Sequence, residues 1–109
     1  MQMLVQVVCQ RGPSMRDAIA RNSKLEDHCL KVTEQRRHGR SRGWTKVRST
    51  EAGRHGAINL EWDADTNILI SRVVTRGRGK ANLIIGDFVD FLLSRFPARI
   101  QAINIIPRR

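Results

Sequence analysis

The segment from Ala81 to Phe96 constrains this chain most, because it is apolar around more than half of its circumference when drawn as an α-helix. At about 100° per residue its large apolar side chains occupy roughly 200°, about twice the stripe that a helix usually buries. Its polar side is narrow and carries Asp87, Asp90 and Ser94. One face of a β-sheet covers only part of such a helix. A second layer or a partner subunit must cover the rest, and we expect a homodimer through this helix.

A β-hairpin is predicted between residues 58 and 75. Ile58, Leu60 and Trp62 alternate with polar residues, which is the period of a strand with one buried face. Residues 63–66 contain two Asp residues and predict a turn, since Asp side chains bond to local backbone amides. The returning strand, residues 67–75, places Arg72 on the same face as apolar residues. One face must therefore carry a mismatch unless a bulge resets the register.

The rest of the chain predicts four more strands and one short helix. The strands are Met3–Cys9, His28–Arg36, Trp44–Ser49 and Arg99–Ile106, and the helix is Ser14–Arg21. The order β-α-β-β-β-β-α-β predicts an α+β fold with a mainly antiparallel sheet and one long apolar helix packed on one face. The last strand is apolar on both faces, which is typical of an interior strand. The 109 residues fit a single domain, 1–109.

The cysteine content and the start of the chain predict a cytoplasmic protein. Cys9 and Cys29 have neither the spacing of a zinc site nor that of a redox pair, so we expect two reduced, mostly buried thiols. The apolar first strand has no cationic segment before it, unlike a secretory signal. No apolar run approaches the ~20 residues that span a bilayer, so we expect no membrane partner. No cofactor motif is present, and we expect no cofactor.

The net charge of +10 is concentrated in two short segments. Six cations and no carboxylate lie between Arg36 and Arg48, and four more cations lie between Arg72 and Lys80. Such concentration favours a polyanionic partner, above all nucleic acid, although biased composition is an alternative explanation. The candidate binding residues are these cations and one tryptophan: Arg36, Arg37, Arg40, Arg42, Trp44, Lys46, Arg48, Arg72, Arg76, Arg78 and Lys80.

Two parts of these charged segments are predicted to connect strands or helices. Residues 36–43, the basic loop, begin at the last residue of a predicted strand, and residues 76–80, the basic connection, follow another. The basic connection precedes the long helix, so free amides, the helix dipole and three cations predict the tightest anion site of the chain. A plain flexible connection is the alternative. The predicted strand order places the basic loop and the basic connection at opposite ends of the sheet. A single binding surface would have to run the length of the sheet.

Trp44 is the one aromatic residue that the sequence places beside the cations. By the two-residue period of a strand it shares a face with Lys46 and Arg48. Its indole is therefore a candidate for stacking on an exposed base. Burial in the core is the alternative, since most tryptophans are largely buried.

Catalytic chemistry has weaker support in the sequence. His38 and His55 precede and follow the same predicted strand, so they lie too far apart to flank one phosphate. His28 with His55 is the remaining histidine pair for a nuclease. Glu61, Asp63 and Asp65 are a possible Mg²⁺ set, although acidic residues are common at a hairpin turn. We therefore assign no catalytic and no metal-binding residue.

The function predicted from these residues is a small basic nucleic-acid-binding protein. RNA is favoured over DNA because the long helix is apolar with an acidic stripe and cannot serve as a recognition helix in a major groove. Binding would depend mainly on phosphate contacts. Two alternatives remain: a small nuclease that uses His or Mg²⁺-bound carboxylates, and a non-catalytic protein-interaction or oligomeric subunit. An enzyme is the less expected outcome.

Overall fold

The computed structural model describes residues 2–107 and is an α+β fold, as predicted, with a six-stranded antiparallel sheet and two α-helices. The strands are β1 Gln2–Cys9, β2 Leu30–Glu34, β3 Trp44–Ser49, β4 Gly56–Asp63, β5 Ile68–Thr75 and β6 Ile100–Pro107. The helices are α1 Met15–Ala20 and α2 Ala81–Arg95, and a 3-10 turn spans Leu25–His28. The second helix is 15 residues long.

The strand order is β2-β3-β4-β5-β1-β6, so the first strand lies inside the sheet and the last strand lies at its edge. The prediction that β6 is interior is wrong. Ile105 and Ile106 are 47% and 43% exposed, and β6 pairs with β1 alone among the strands of residues 2–107. Apolar side chains on both faces of a strand are typical of interior strands. The pattern does not show, however, whether another strand pairs with each of its two edges.

The predicted β4–β5 hairpin forms without a register shift, so no bulge removes the mismatch at Arg72. Arg72 lies opposite Asn59 on β4 and opposite Leu4 on β1. Leu69 and Val73, its neighbours on the alternate face, are fully buried. The mismatch is thus accommodated on the face of the sheet that the helices leave uncovered, which we call the open face.

The other face of the sheet forms the core with both helices and the 3-10 turn. α1 lies over β3 and β4, whereas α2 packs against β5, β1, β4 and the 3-10 turn. Leu83 and Leu93 remain 45% and 52% exposed on α2. The largest fully buried core side chains are Phe88, Phe91, Met15, Ile19, Leu30, Ile58, Leu60, Leu69, Ile84 and Leu92.

The cysteines differ in environment, although both are free thiols. Cys9 is buried in the core, as predicted. Cys29 is half-buried, with a left-handed φ of 63°, and its Sγ donates to Glu51 Oε1 over 3.2 Å. This hydrogen bond is the main cause that raises the pKa of Cys29. None of the helices in residues 2–107 is long and apolar enough to cross a membrane.

Candidate nucleic-acid interface

A groove of about 880 Å³ runs along the open face and brings the two basic segments together. Arg37 and Arg40 reach it from the basic loop, and Arg76 and Arg78 reach it from the basic connection. Its cationic side chains are Arg37, Arg40, Lys46, Arg48, Arg76 and Arg78. No carboxylate lines it within the described part of the chain. The groove therefore runs along the sheet from one end of β3 to the other. This is the path that a single binding surface needs in order to include both basic segments.

Lys46 lies in the middle of this charge. Its pKa is lowered, first by partial burial and then by the positive charges of Arg48, Arg37 and Arg76. Arg37 belongs to the basic loop and Arg76 to the basic connection, so cations of both segments act on one ammonium group. Glu34, which binds Arg37, offsets part of this effect on Lys46, and the remaining like charges repel one another until an anion binds. The groove has the electrostatics of a polyanion site.

A second concavity, the arginine pocket, lies at the basic loop and has a volume of about 720 Å³. Arg36 and Arg42 line it together with Arg37 and Arg40, which also line the groove. Arg16 lines it from α1. The two concavities therefore share a wall made by the basic loop.

Arg16 binds both ends of the basic loop, a role that no local pattern of the sequence indicates. Its Nη2 donates to the carbonyl oxygen of Gln35 over 2.6 Å, and its Nε donates to that of Trp44 over 3.2 Å. Asp17 binds its Nη1 over 2.7 Å. Arg16 lies 28 residues before Trp44, in a helix that the sequence does not connect with the loop.

Within the basic loop, Arg37 is fixed by an ion pair with Glu34. Its Nε donates to Glu34 Oε2 over 2.9 Å, and its Nη2 donates to Oε1. The hydrogen bond from Arg37 holds the pKa of the Glu34 carboxyl below its ordinary value. The guanidinium groups of Arg37 and Arg40 lie 5.1 and 5.3 Å from the centre of the Trp44 ring. Both distances are within the range of cation–π contacts.

Trp44 is 2% exposed, but it is not part of the hydrophobic core. It lies on the open face, on the same side of β3 as Lys46 and opposite Glu61 of β4, as its position in the strand predicts. Trp44 is therefore buried, and it lies on the cationic face of the sheet; base stacking stays a prediction. Its Nε1 has no hydrogen-bond partner among residues 2–107.

The basic connection differs from the predicted cradle of free amides. The amide of Gly79 donates to the Arg76 carbonyl over 2.9 Å, and that of Lys80 donates to the Arg54 carbonyl over 2.9 Å. These two amides are therefore not available to an anion, and that part of the prediction is wrong. The sequence could not reveal this, because Arg54 approaches from the β3–β4 loop.

Two of the candidate cations lie outside both concavities. Lys80 is exposed at the start of α2 and lines neither of them. Arg72 is exposed on the open face, one strand beyond the groove-lining Asn59. The structure therefore gathers eight of the ten candidate cations and leaves these two at a distance.

The residues considered for catalysis do not meet. Nδ1 of His28 lies 2.9 Å from Asp90 Oδ2, and its ring packs against Phe91 on the helix side of the sheet. His55 lines the groove on the open face, so these histidines cannot act on one phosphate. Among residues 2–107, no three His, Cys, Asp or Glu side chains form a group that could hold a metal, and Glu61 instead accepts a hydrogen bond from Ser41.

Comparison with known proteins adds no family name to this geometry. No protein-family model, no curated protein and no solved structure matches the chain. The function is therefore inferred from the charges, contacts and burial of these residues.

Proposed function

We propose that this chain is a small nucleic-acid-binding protein that prefers RNA to DNA and binds it mainly through phosphate contacts in the groove. The observation that carries the proposal is the meeting of six cations from three parts of the chain, with no carboxylate among the described lining residues. Phosphate groups of a polyanion would relieve the repulsion that lowers the pKa of Lys46.

The length of the groove fits a short stretch of nucleic-acid backbone. The six residues of β3 extend over roughly 20 Å. Successive phosphates of a single strand lie farther apart than the rise of about 3.4 Å per phosphate along a duplex axis, so a strand laid along the groove places only a few phosphates within reach. The six cations of the groove lie along this path.

The preference for RNA is supported by what surrounds the groove. Sheet and loops form it, while α2 packs on the opposite face and carries Asp87 and Asp90, which pair with Arg54 and His28. A helix placed in the major groove is the usual means of reading duplex DNA. Sheet surfaces and loops more often bind RNA, whose single strands and loops they can follow.

The test is a pair of double variants matched in charge. Arg48→Ala with Arg76→Ala removes two groove cations, whereas Arg21→Ala with Arg95→Ala removes two exposed arginines outside the groove. We expect the first pair to weaken binding to labelled RNA and to flatten the plot of log K against log salt by roughly 1.4 to 1.8. The second pair should leave both nearly unchanged.

Equal losses in the two double variants would show that binding follows net charge alone, and would overturn the groove as the site. Incubating the labelled RNA with the protein in Mg²⁺ or in EDTA addresses the alternative of a nuclease. We expect intact RNA in both conditions. Mg²⁺-dependent cleavage would favour the enzyme.

We also propose that the protein forms a homodimer through α2, and that it is located in the cytoplasm. Exposed Leu83 and Leu93 support the helix as the contact surface, although the sheet and the 3-10 turn cover part of its apolar circumference. The free edge of β6, which carries no charged residue from Ile100 to Pro107, is the rival surface. Two free thiols support a reducing compartment.

A further inference from the structure

Trp44 is placed unlike any other large buried side chain of the described residues. It is 2% exposed and absent from the core cluster, because it faces away from the helices. No helix covers the open face, so the burial of Trp44 depends on the basic loop, whose Arg37 and Arg40 lie over its ring. Its cover is therefore made of cations rather than of apolar side chains.

The two arginines that lie over the ring of Trp44 also belong to the phosphate-binding groove of the proposed function. Arg37 and Arg40 both line the groove, where a phosphate would compete with the indole for their guanidinium groups. Charge-assisted hydrogen bonds to phosphate are stronger than a cation–π contact at an exposed site. Arg37 is also bound to Glu34, so a phosphate must compete with that carboxylate for it, whereas Arg40 has no carboxylate partner among residues 2–107.

The loop that carries these arginines is held near its base, where Arg37 binds Glu34 and Ser41 donates to Glu61, and its exposed tip lies around Gly39. Arg16 binds the carbonyl oxygens of Gln35 and Trp44 at the two ends. Every residue from 36 to 42 is exposed, and Gly39 has a left-handed φ of 83° with open space around it. Segments with few buried contacts open at low cost in free energy. The tip can therefore lift while the base stays in place.

The indole N–H supplies the observation that indicates a ligand. Nε1 of Trp44 is buried and finds no acceptor among residues 2–107. A buried donor without a partner is unfavourable, and native proteins contain few of them. A base stacked on the indole cannot itself accept from Nε1, because this N–H lies in the plane of the indole ring, but a phosphate oxygen, a ribose hydroxyl or the edge of a neighbouring base can.

We propose that Trp44 is a base-stacking site covered by Arg37 and Arg40, and that it opens when these arginines bind phosphates. The inference rests on the proposed function and narrows it to one ligand class, single-stranded RNA with unpaired bases. Bases in a duplex are already stacked and paired, so a duplex binds the groove through its phosphates without reaching Trp44.

The test uses Trp62→Phe, which leaves Trp44 as the only tryptophan. Inorganic polyphosphate, a polyanion without bases, should make the emission of Trp44 more sensitive to acrylamide because the arginines leave the ring. A single-stranded oligoadenylate should instead quench the emission and protect Trp44 from acrylamide. A duplex RNA of equal length should behave as polyphosphate does.

The variant Trp44→Leu separates stacking from charge. Loss of one stacked base corresponds to roughly a 5- to 150-fold loss in affinity for oligoadenylate. Affinity for polyphosphate should be unchanged, and Trp44→Phe should recover most of the lost affinity. Retained binding of polyphosphate shows that the variant is folded.

The outcomes distinguish the two proposals. If anisotropy shows that oligoadenylate binds the groove but neither quenches nor protects Trp44, the stacking site is overturned and the phosphate site stands. If oligoadenylate and duplex RNA both fail to bind, the proposed function itself fails. Equal loss of polyphosphate and oligoadenylate binding in Trp44→Leu would assign Trp44 a structural role and overturn the inference.

Discussion

Arg16 donates from both Nε and Nη2 to the carbonyl oxygen of Trp44, over 3.2 and 2.9 Å. The same Nη2 donates to Gln35, so one guanidinium binds both the end of β2 and the start of β3. The side chain of Arg16 is only 12% exposed. The position of the basic loop therefore depends on a residue of α1 that contributes no charge to the groove itself.

Replacing Arg16 by Met should loosen this loop. The change keeps most of the apolar stem but removes hydrogen bonds from a charged donor to two carbonyl groups, which contribute about 1–3 kcal/mol. We expect the free energy of unfolding in urea to fall by that amount and trypsin cleavage at Arg36–Arg42 to accelerate. Arg21→Met, at an exposed position just after α1, is the control. Similar cleavage in both variants would contradict the role of Arg16.

Two glycines should respond in opposite directions to alanine. A Cβ at Gly79 would lie 2.6 Å from Thr75 Cβ and 2.9 Å from the Arg54 carbonyl oxygen, whereas one at Gly86 would meet nothing within 4 Å. Gly79→Ala should destabilise the fold by about 1–3 kcal/mol, because the backbone must shift. Gly86→Ala should stabilise α2 by about 0.5–1 kcal/mol. Thermal unfolding of both variants measures this difference, and a stabilised Gly79→Ala would refute the close approach.

The pKa of Lys46 should report the convergence of the basic segments. Partial burial lowers it first, and Arg48, Arg37 and Arg76 lower it further. Arg76→Ala should therefore raise it, because one repelling charge is lost. Since a lowered lysine pKa means that the ammonium loses its proton at lower pH, the NMR titration of Lys46 Cε should shift to higher pH in the variant. Arg95→Ala should leave the titration of Lys46 unchanged. An unchanged titration in Arg76→Ala would show that the basic connection does not act on Lys46.

Sedimentation equilibrium should detect self-association and locate its surface. We expect Leu93→Lys to disrupt the homodimer, because it places a charge on the exposed side of α2. Ala102→Lys places the same charge on the free edge strand β6 and should leave the dimer intact. Dissociation by Ala102→Lys alone would move the interface to β6. A wild-type monomer at tens of micromolar would remove the dimer altogether.

The sequence predicted the fold better than it predicted the site. Alternation in β4 and the helical period of α2 are local patterns, and each sets its own element. The edge position of β6 and the hydrogen bonds from Arg16 to the two ends of the basic loop join residues that are far apart in the chain. No local pattern encodes such contacts. The two-residue period of β3 predicts the face of the sheet on which Trp44 lies. The contact of its ring with Arg37 and Arg40 is tertiary, and no local pattern predicts it.

Pairing of β1 with β6 joins Met3 to Pro107 and gives the sheet a particular order of assembly. On a ribosome, β1 emerges before its neighbours β5 and β6, and β2, β3 and β4 are synthesised in between. An interior position of the sheet, next to the edge strand β6, is therefore filled by a strand that has no neighbour in the sheet until β5 has been synthesised. Closing so long a chain segment carries a large entropic cost, and proteins dominated by such distant pairings fold slowly. Chaperones that shield apolar nascent segments would meet β1 during that interval.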